Sequence, residues 1–172
     1  MAVQSPLVIV LMGVSGSGKS TTGAALSREL GWPFRDADSF HPPANVAKMS
    51  RGAPLTDEDR WPWLAAIAQW IDERCQAGER GIVSCSALKR TYRSRIVGTR
   101  SGVQLVYLKG DITLIGRRLQ ARKHHFMPPS LLDSQLATLE RFAPDEPGVT
   151  VPVLGPGGEV VDTVLARVLD AR

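Results

Sequence analysis

Eight consecutive residues constrain this chain more than any others: Gly13-Val14-Ser15-Gly16-Ser17-Gly18-Lys19-Ser20 fits the pattern G-x-x-x-x-G-K-[ST], known as Walker A. The pattern works only between a strand and a helix, because glycines curl the backbone until successive N–H groups point inward and the helix N-terminus adds its dipole. Both neighbours are present. Leu7 to Met12 is a continuous apolar run rich in β-branched residues, as a strand covered on both faces requires, and Ser20 to Leu30 reads as a helix that Gly31 ends. The segment is therefore expected to cradle the phosphates of ATP, with Val14, Ser15, Gly16, Ser17, Gly18 and Thr21 around them. Lys19 is expected on the β- and γ-phosphates and Ser20 on Mg²⁺.

The rest of the chain alternates strand and helix signals. Pro33 to Asp36 predicts a short second strand, and Ile82 to Cys85 and Val103 to Leu108 predict two more. Val149 to Val153 is a weaker candidate because Pro152 lies inside it. From Pro62 onward, Trp63, Ile67, Trp70 and Ile71 recur at helical spacing, with Pro62 placed in the first turn and Gly78 near the end. The tryptophans read as core rather than as a ligand platform. A last helix after Gly157-Gly158 carries Val161, Val164, Leu165 and Val168 on one face. Between His41 and Leu55 the chain is rich in Pro, Gly and polar residues around a short helix at Asn45 to Ser50, as suits an insertion on the substrate side. This alternation argues an α/β fold with a mainly parallel sheet.

Length and composition fit one such unit. The chain has 172 residues, 43% apolar and 22% charged, which is globular usage rather than that of a disordered or fibrous chain. A net charge of +4 suits anionic ligands without choosing among them. Cys75 and Cys85 are too few for a disulfide framework, and the start of the chain has no basic segment ahead of an apolar one. The expected home is the cytoplasm, with no membrane partner.

Walker A alone marks a nucleotide binder. The guanine motif N-K-x-D of GTPases is missing from the sequence. The strand Ile82 to Cys85 also ends without the aspartate of a Walker B motif, so the second Mg²⁺ carboxylate must come from elsewhere, and Asp36 and Asp38 are nearest by position.

Further blocks narrow the class. Asp36-Ala-Asp38-Ser-Phe-His41-Pro42, Asn45-Val-Ala-Lys48-Met49 and Pro54-Leu55 come first. Asp57-Glu-Asp59-Arg60 with Pro62-Trp63-Leu64, Cys85-Ser-Ala-Leu-Lys89-Arg90 with Tyr92-Arg93, Tyr107 to Asp111, and Arg122-Lys-His-His125-Phe126-Met-Pro128 follow. With the Walker A segment, and in this order, they resemble the gluconate kinase family over roughly residues 7 to 146. The resemblance implies the P-loop containing nucleoside triphosphate hydrolase fold: a five-stranded parallel sheet flanked by helices, with a substrate-binding region at about 38–65 and a lid at about 117–130 in a single unit, 1–172. It also implies a homodimer, ATP and Mg²⁺ as cofactors, and conversion of D-gluconate to 6-phospho-D-gluconate.

Within that scheme a carboxylate must take the proton of a primary hydroxyl as its oxygen bonds to phosphorus. Asp38 is assigned that role and Asp36 the Mg²⁺ shell, although the two could be exchanged, and either could cap a turn before His41-Pro42. Arg60, Lys89 and Arg93 are candidates for the acceptor carboxylate or the transferring phosphoryl group, or else solvated surface bases. His41 and His125 are substrate candidates, with a histidine packed against Pro42 and Pro43 the competing view of His41. Arg122, with Arg118 one helical turn before it, lies in the densest positive stretch of the chain and is expected to close over the nucleotide. No aromatic ladder accompanies these bases, which argues against nucleic acid. His124 stands where the family has glycine, and Arg141-Phe142 departs from the family near its adenine side. Cys85 reads as buried filler. The alternatives are a kinase for another sugar acid or shikimate, and a regulatory module switched by ATP.

Overall fold

The computed structural model describes residues 6–14, 16–110, 131–140, 146, 148–153 and 157–168. At its centre lies β1 (Val8–Met12), buried at every position. It pairs in parallel with β3 (Gly81–Ser84) on one side and with β4 (Val103–Gly110) on the other. β2 (Phe34–Asp36) adds to β3 and β5 (Gly148–Val153) to β4, which gives a five-stranded parallel sheet in the order β2-β3-β1-β4-β5.

Because strand side chains alternate between faces, β1 feeds two separate cores. Val8, Val10 and Met12 join one cluster with Trp63, Leu64, Ile67, Ile71, Tyr92 and Ile96. Ile9 and Leu11 join the opposite one with Leu26, Val160, Val161 and Val164. The first cluster is covered by α3 (Asp57–Ala77) and α4 (Arg90–Ile96). The second is covered by α1 (Lys19–Leu30) and by α6 (Gly157–Val168). Ile67 and Ile71, one helical turn apart and fully buried, pin α3 to the sheet at about 1.5–3 kcal/mol each. A short 3-10 helix (Ala37–Phe40), α2 (Pro43–Ser50) and α5 (Leu131–Thr138) complete the elements. Leu136 and Leu139, in and just after α5, pack on Val14 and Leu88 beneath the glycine-rich loop.

Two helix starts are corrected, and one weaker strand is borne out. α3 begins five residues before Pro62, because Thr56 and Asp59 form a reciprocal capping box: the Thr56 hydroxyl accepts from the Asp59 N–H and the Asp59 carboxylate from the Thr56 N–H. Pro62 therefore sits inside the helix and not in its first turn. The strand weakened by Pro152 is six residues long, and it is tolerated because β5 is an edge strand. The short helix of the insertion starts at Pro43, whose fixed φ suits a first helical position. Trp63 and Trp70 are core residues, 3% and 9% exposed, as their spacing predicts.

Candidate active site

The carboxyl ends of β1, β2 and β3 open onto one face, the usual place for a ligand in an open parallel sheet. After β1 the chain turns at Gly13, where a Cβ would stand 2.6 Å from Ser17 Oγ and 2.9 Å from the Leu108 carbonyl oxygen, so only glycine fits. Gly16 and Gly18 adopt left-handed backbone, with φ of 83° and 93°. Gly18 caps α1 in left-handed backbone with no side-chain cap, so that the helix N-terminus opens directly after the glycine-rich loop. Lys19 folds back over this loop, and its ammonium donates to the carbonyls of Gly13 at 2.8 Å and Val14 at 3.0 Å. Ser17 Oγ is buried without a hydrogen-bond partner among the described residues. A buried hydroxyl without a partner, beside the N–H groups of a helix N-terminus and an ammonium, is a donor set suited to phosphate oxygens.

At the end of β2 the carboxylate of Asp36 does two things. Its Oδ2 accepts from Ser20 Oγ at 2.5 Å, and its Oδ1 accepts from the backbone N–H of Asp38 at 2.9 Å. The first contact joins a hydroxyl and a carboxylate at the mouth of the cradle, hard oxygen ligands of the kind Mg²⁺ takes. The second caps the 3-10 helix and carries Asp38 forward on it. Burial, then the neighbouring charge of Asp36, push the Asp38 carboxyl up to about 6, while Lys19 pulls the other way. Its side chain keeps one edge in water, at 40% exposure.

Beside Asp38 lies His41, whose side chain is 3% exposed and whose Nε2 stands 4.0 Å from Asp38 Oδ1. The ring stacks on Trp63 with centroids 4.2 Å apart and planes 12° apart. Trp63 is itself held by a bond from its Nε1 to the Ala37 carbonyl at 2.8 Å. Burial and then the Arg60 charge lower the His41 pKa to about 4, against a smaller upward pull from Asp36, so the ring is neutral at ordinary pH.

A polar network ties α3 to α4 behind this recess. The Tyr92 hydroxyl accepts from Arg60 at 3.0 Å and donates to the Asp57 carboxylate, which also accepts from Lys89 at 3.1 Å. The Tyr92 and then the Lys89 hydrogen bonds hold Asp57 below the usual carboxylate range. Arg60 thus reaches Tyr92 from the first turn of α3 and acts electrostatically on His41.

The structure brings together Gly13, Val14, Gly16, Ser17, Gly18, Lys19, Ser20, Asp36, Asp38, His41 and Arg60. Thr21 lies in the first turn of α1 and is exposed. Lys89 is paired with Asp57 rather than standing as a solvated base. Arg93 is a correction: it is 2% exposed, donates to the carbonyls of Ala87 and Leu88 at 3.1 Å, and ion-pairs with Glu146 at 2.6 Å. An arginine so enclosed braces the turn before α4 instead of meeting a substrate. Cys85 is 1% exposed and its thiol is pushed up to about 12, chiefly by burial, which makes it filler. Ser15, Arg118, Arg122, His125 and the region 117–130 lie outside the described residues. Sequence reasoning gave no role to Asn45, Asp57, Tyr92 or Glu146. Their partners lie 14, 35 and 53 positions away for Asn45, for Tyr92 with Asp57 and for Glu146.

A parallel five-stranded sheet with this cradle at the end of its central strand, and a desolvated carboxyl facing it, defines a P-loop kinase. A family model described as an AAA domain matches residues 8–142. A gluconokinase of Gluconobacter oxydans is 49% identical over 146 residues, covering 85% of this chain and 82% of that protein. The thermoresistant gluconokinase of Escherichia coli is 40% identical over 144 residues, covering 84% and 82%. The crystal structure of a gluconokinase from Sinorhizobium meliloti superposes with a TM-score of 0.85 at 46% identity, covering 97% of this chain and 94% of the other. The chain belongs to the gluconokinase family.

Proposed function

We propose that this chain transfers the γ-phosphoryl group of ATP to the primary hydroxyl of D-gluconate, giving ADP and 6-phospho-D-gluconate. The observation that carries the proposal is Asp38: a carboxyl raised to about 6, on a 3-10 turn capped by Asp36, between the Lys19 cradle and the His41–Arg60 recess. At neutral pH it is ionised and still basic enough to take a proton. As the hydroxyl oxygen bonds to phosphorus and the bridge between the β- and γ-phosphates breaks, Asp38 accepts the hydroxyl proton.

Ser20 and Asp36 are the residues suited to hold Mg²⁺, and the described residues contain no competing cluster of three metal ligands. The ion, when bound, neutralises phosphate charge. Lys19 binds the phosphate oxygens through the ammonium that now bridges Gly13 and Val14. Arg60 pairs with the carboxylate of the acceptor, its guanidinium aimed by Tyr92, and His41 meets the hydroxyl chain. Lys89 supports this side through Asp57. Arg118 serves the nucleotide, and Arg122 and His125 complete the site from the stretch 117–130. The reading carries with it a homodimer and a place in the cytoplasm, and no described helix is long and apolar enough to cross a membrane.

The test is ADP release from Mg-ATP in a coupled assay with D-gluconate, other aldonates, shikimate or no acceptor. Stimulation by D-gluconate well above the rest is expected. Equal rates with and without any sugar acid would refute the proposal.

A further inference from the structure

Asn45 is a polar residue of α2 that is only 4% exposed, and its side chain has partners on two sides. Its Nδ2 donates to the Asp59 backbone carbonyl at 2.8 Å. A carbonyl oxygen only accepts, so the amide atom facing it is the NH₂ group, and the orientation of Asn45 is settled by that contact. The other hydrogen of the same NH₂ faces His41 Nδ1 at 3.3 Å. That nitrogen must then be an acceptor, and a neutral imidazole with an acceptor at Nδ1 carries its hydrogen on Nε2. Trp63 fixes the plane of the ring and Asn45 fixes which nitrogen bears the hydrogen.

The Nε2–H so defined stands 4.0 Å from Asp38 Oδ1. The gap is too long for a direct hydrogen bond, but an oxygen about 2.8 Å from each atom spans it with an angle of about 90° at that oxygen. The two sides are complementary: a donor on His41, an acceptor on Asp38. A hydroxyl group, which both donates and accepts, is the ligand such a pair selects. The opposite tautomer would turn a lone pair toward Asp38 and toward the same hydroxyl oxygen. Arg60 and Asp36 are the other charges that act on the ring.

We propose that Asn45 is a positioning residue that locks His41 in its Nε2–H tautomer, so that His41 and Asp38 together bracket one hydroxyl of the sugar acid. His41 donates to its oxygen and Asp38 accepts its hydrogen. The inference rests on the proposed function for the identity of the acceptor, while the tautomer itself stands on the free protein alone.

The experiment follows that division. Long-range ¹H–¹⁵N correlation spectra of the ¹⁵N-histidine-labelled full chain, without substrate, report the tautomer of each of its three histidines, and His41→Gln assigns the relevant signal. His41 is expected as the neutral Nε2–H form over roughly pH 5 to 8, where an ordinary histidine titrates. In Asn45→Asp, whose carboxylate can only accept, the hydrogen is expected on Nδ1. Both Asn45→Asp and Asn45→Ala are expected to raise KM for D-gluconate about tenfold, the worth of one hydrogen bond, and to move KM for ATP by no more than about twofold. An Nδ1–H or charged His41 in the unmodified chain overturns the inference whether or not the variants fold. Unchanged KM for D-gluconate in both variants overturns it as well. If no sugar acid is phosphorylated by the unmodified chain, the proposed function fails, and the spectra still decide the part played by Asn45.

Discussion

The phosphate cradle draws on residues 13 to 20, consecutive in the chain, whereas the proposed acceptor recess assembles His41, Asn45, Asp57, Arg60 and Tyr92 from α2, α3, α4 and the turn before them. In the cradle the working groups are largely backbone N–H donors, held by left-handed glycines and one folded-back lysine. In the recess they are side chains, each fixed by another side chain or by a distant carbonyl. A backbone device survives most exchanges of the side chains around it. A side-chain device is only as good as its supporting neighbours, and it is also where specificity can be changed without disturbing nucleotide binding.

Substitutions test this contrast. The largest effect is expected from Lys19→Ala, which removes the one cation of the cradle seen to bridge its carbonyls: turnover with D-gluconate falls by on the order of 10³-fold or more. Activity close to normal in that variant would detach the cradle from catalysis.

Next comes Asp38→Asn, expected to lower kcat by about 10² to 10⁴-fold while leaving ATP binding intact. In the unmodified protein kcat/KM should fall as pH drops through about 6, where Asp38 takes up its proton. The same shift has a sign for stability. A carboxyl raised from 3.8 to about 6 on folding holds a proton that the unfolded chain has released, so its contribution turns against the folded state as pH rises through that window. Asp38→Asn should therefore melt at a temperature equal to or above that of the unmodified protein at neutral pH. A less stable and fully active variant would assign the proton to Asp36.

The smallest effect is expected from Tyr92→Phe, which keeps the buried ring but frees Arg60 and Asp57 from their shared hydroxyl. KM for D-gluconate should rise about three- to tenfold with kcat little changed. An equal loss in KM for ATP would show that the two sides are not separable.

The sequence made the cradle legible because its rule is local: the spacing of glycines, Lys19 and Ser20 states the geometry, and the apolar runs before and after it state the context. The sheet followed from the same alternation. Asp38 could be singled out as a carboxylate near the cradle, but its raised pKa depends on burial and on Asp36 in three dimensions. Arg93 misled for the same reason, since nothing in Tyr92-Arg93-Ser94 announces Glu146, fifty-three positions away. Pro62 drew the start of α3 too late because a proline is a louder signal than the Thr56–Asp59 box that begins the helix. Asn45 looked like one polar residue in a short helix, and only its contacts with Asp59 and His41 give it a part.

The two margins of the sheet bear on how this chain behaves among its own copies. β2 is three residues long, and β5 carries Pro152, which has no N–H to offer a neighbour. Among the described residues, both margins are short: three residues in β2 and six in β5. Proline on a marginal strand is among the devices that discourage pairing with a stray strand, and the one that made β5 hard to foresee lies at such a margin.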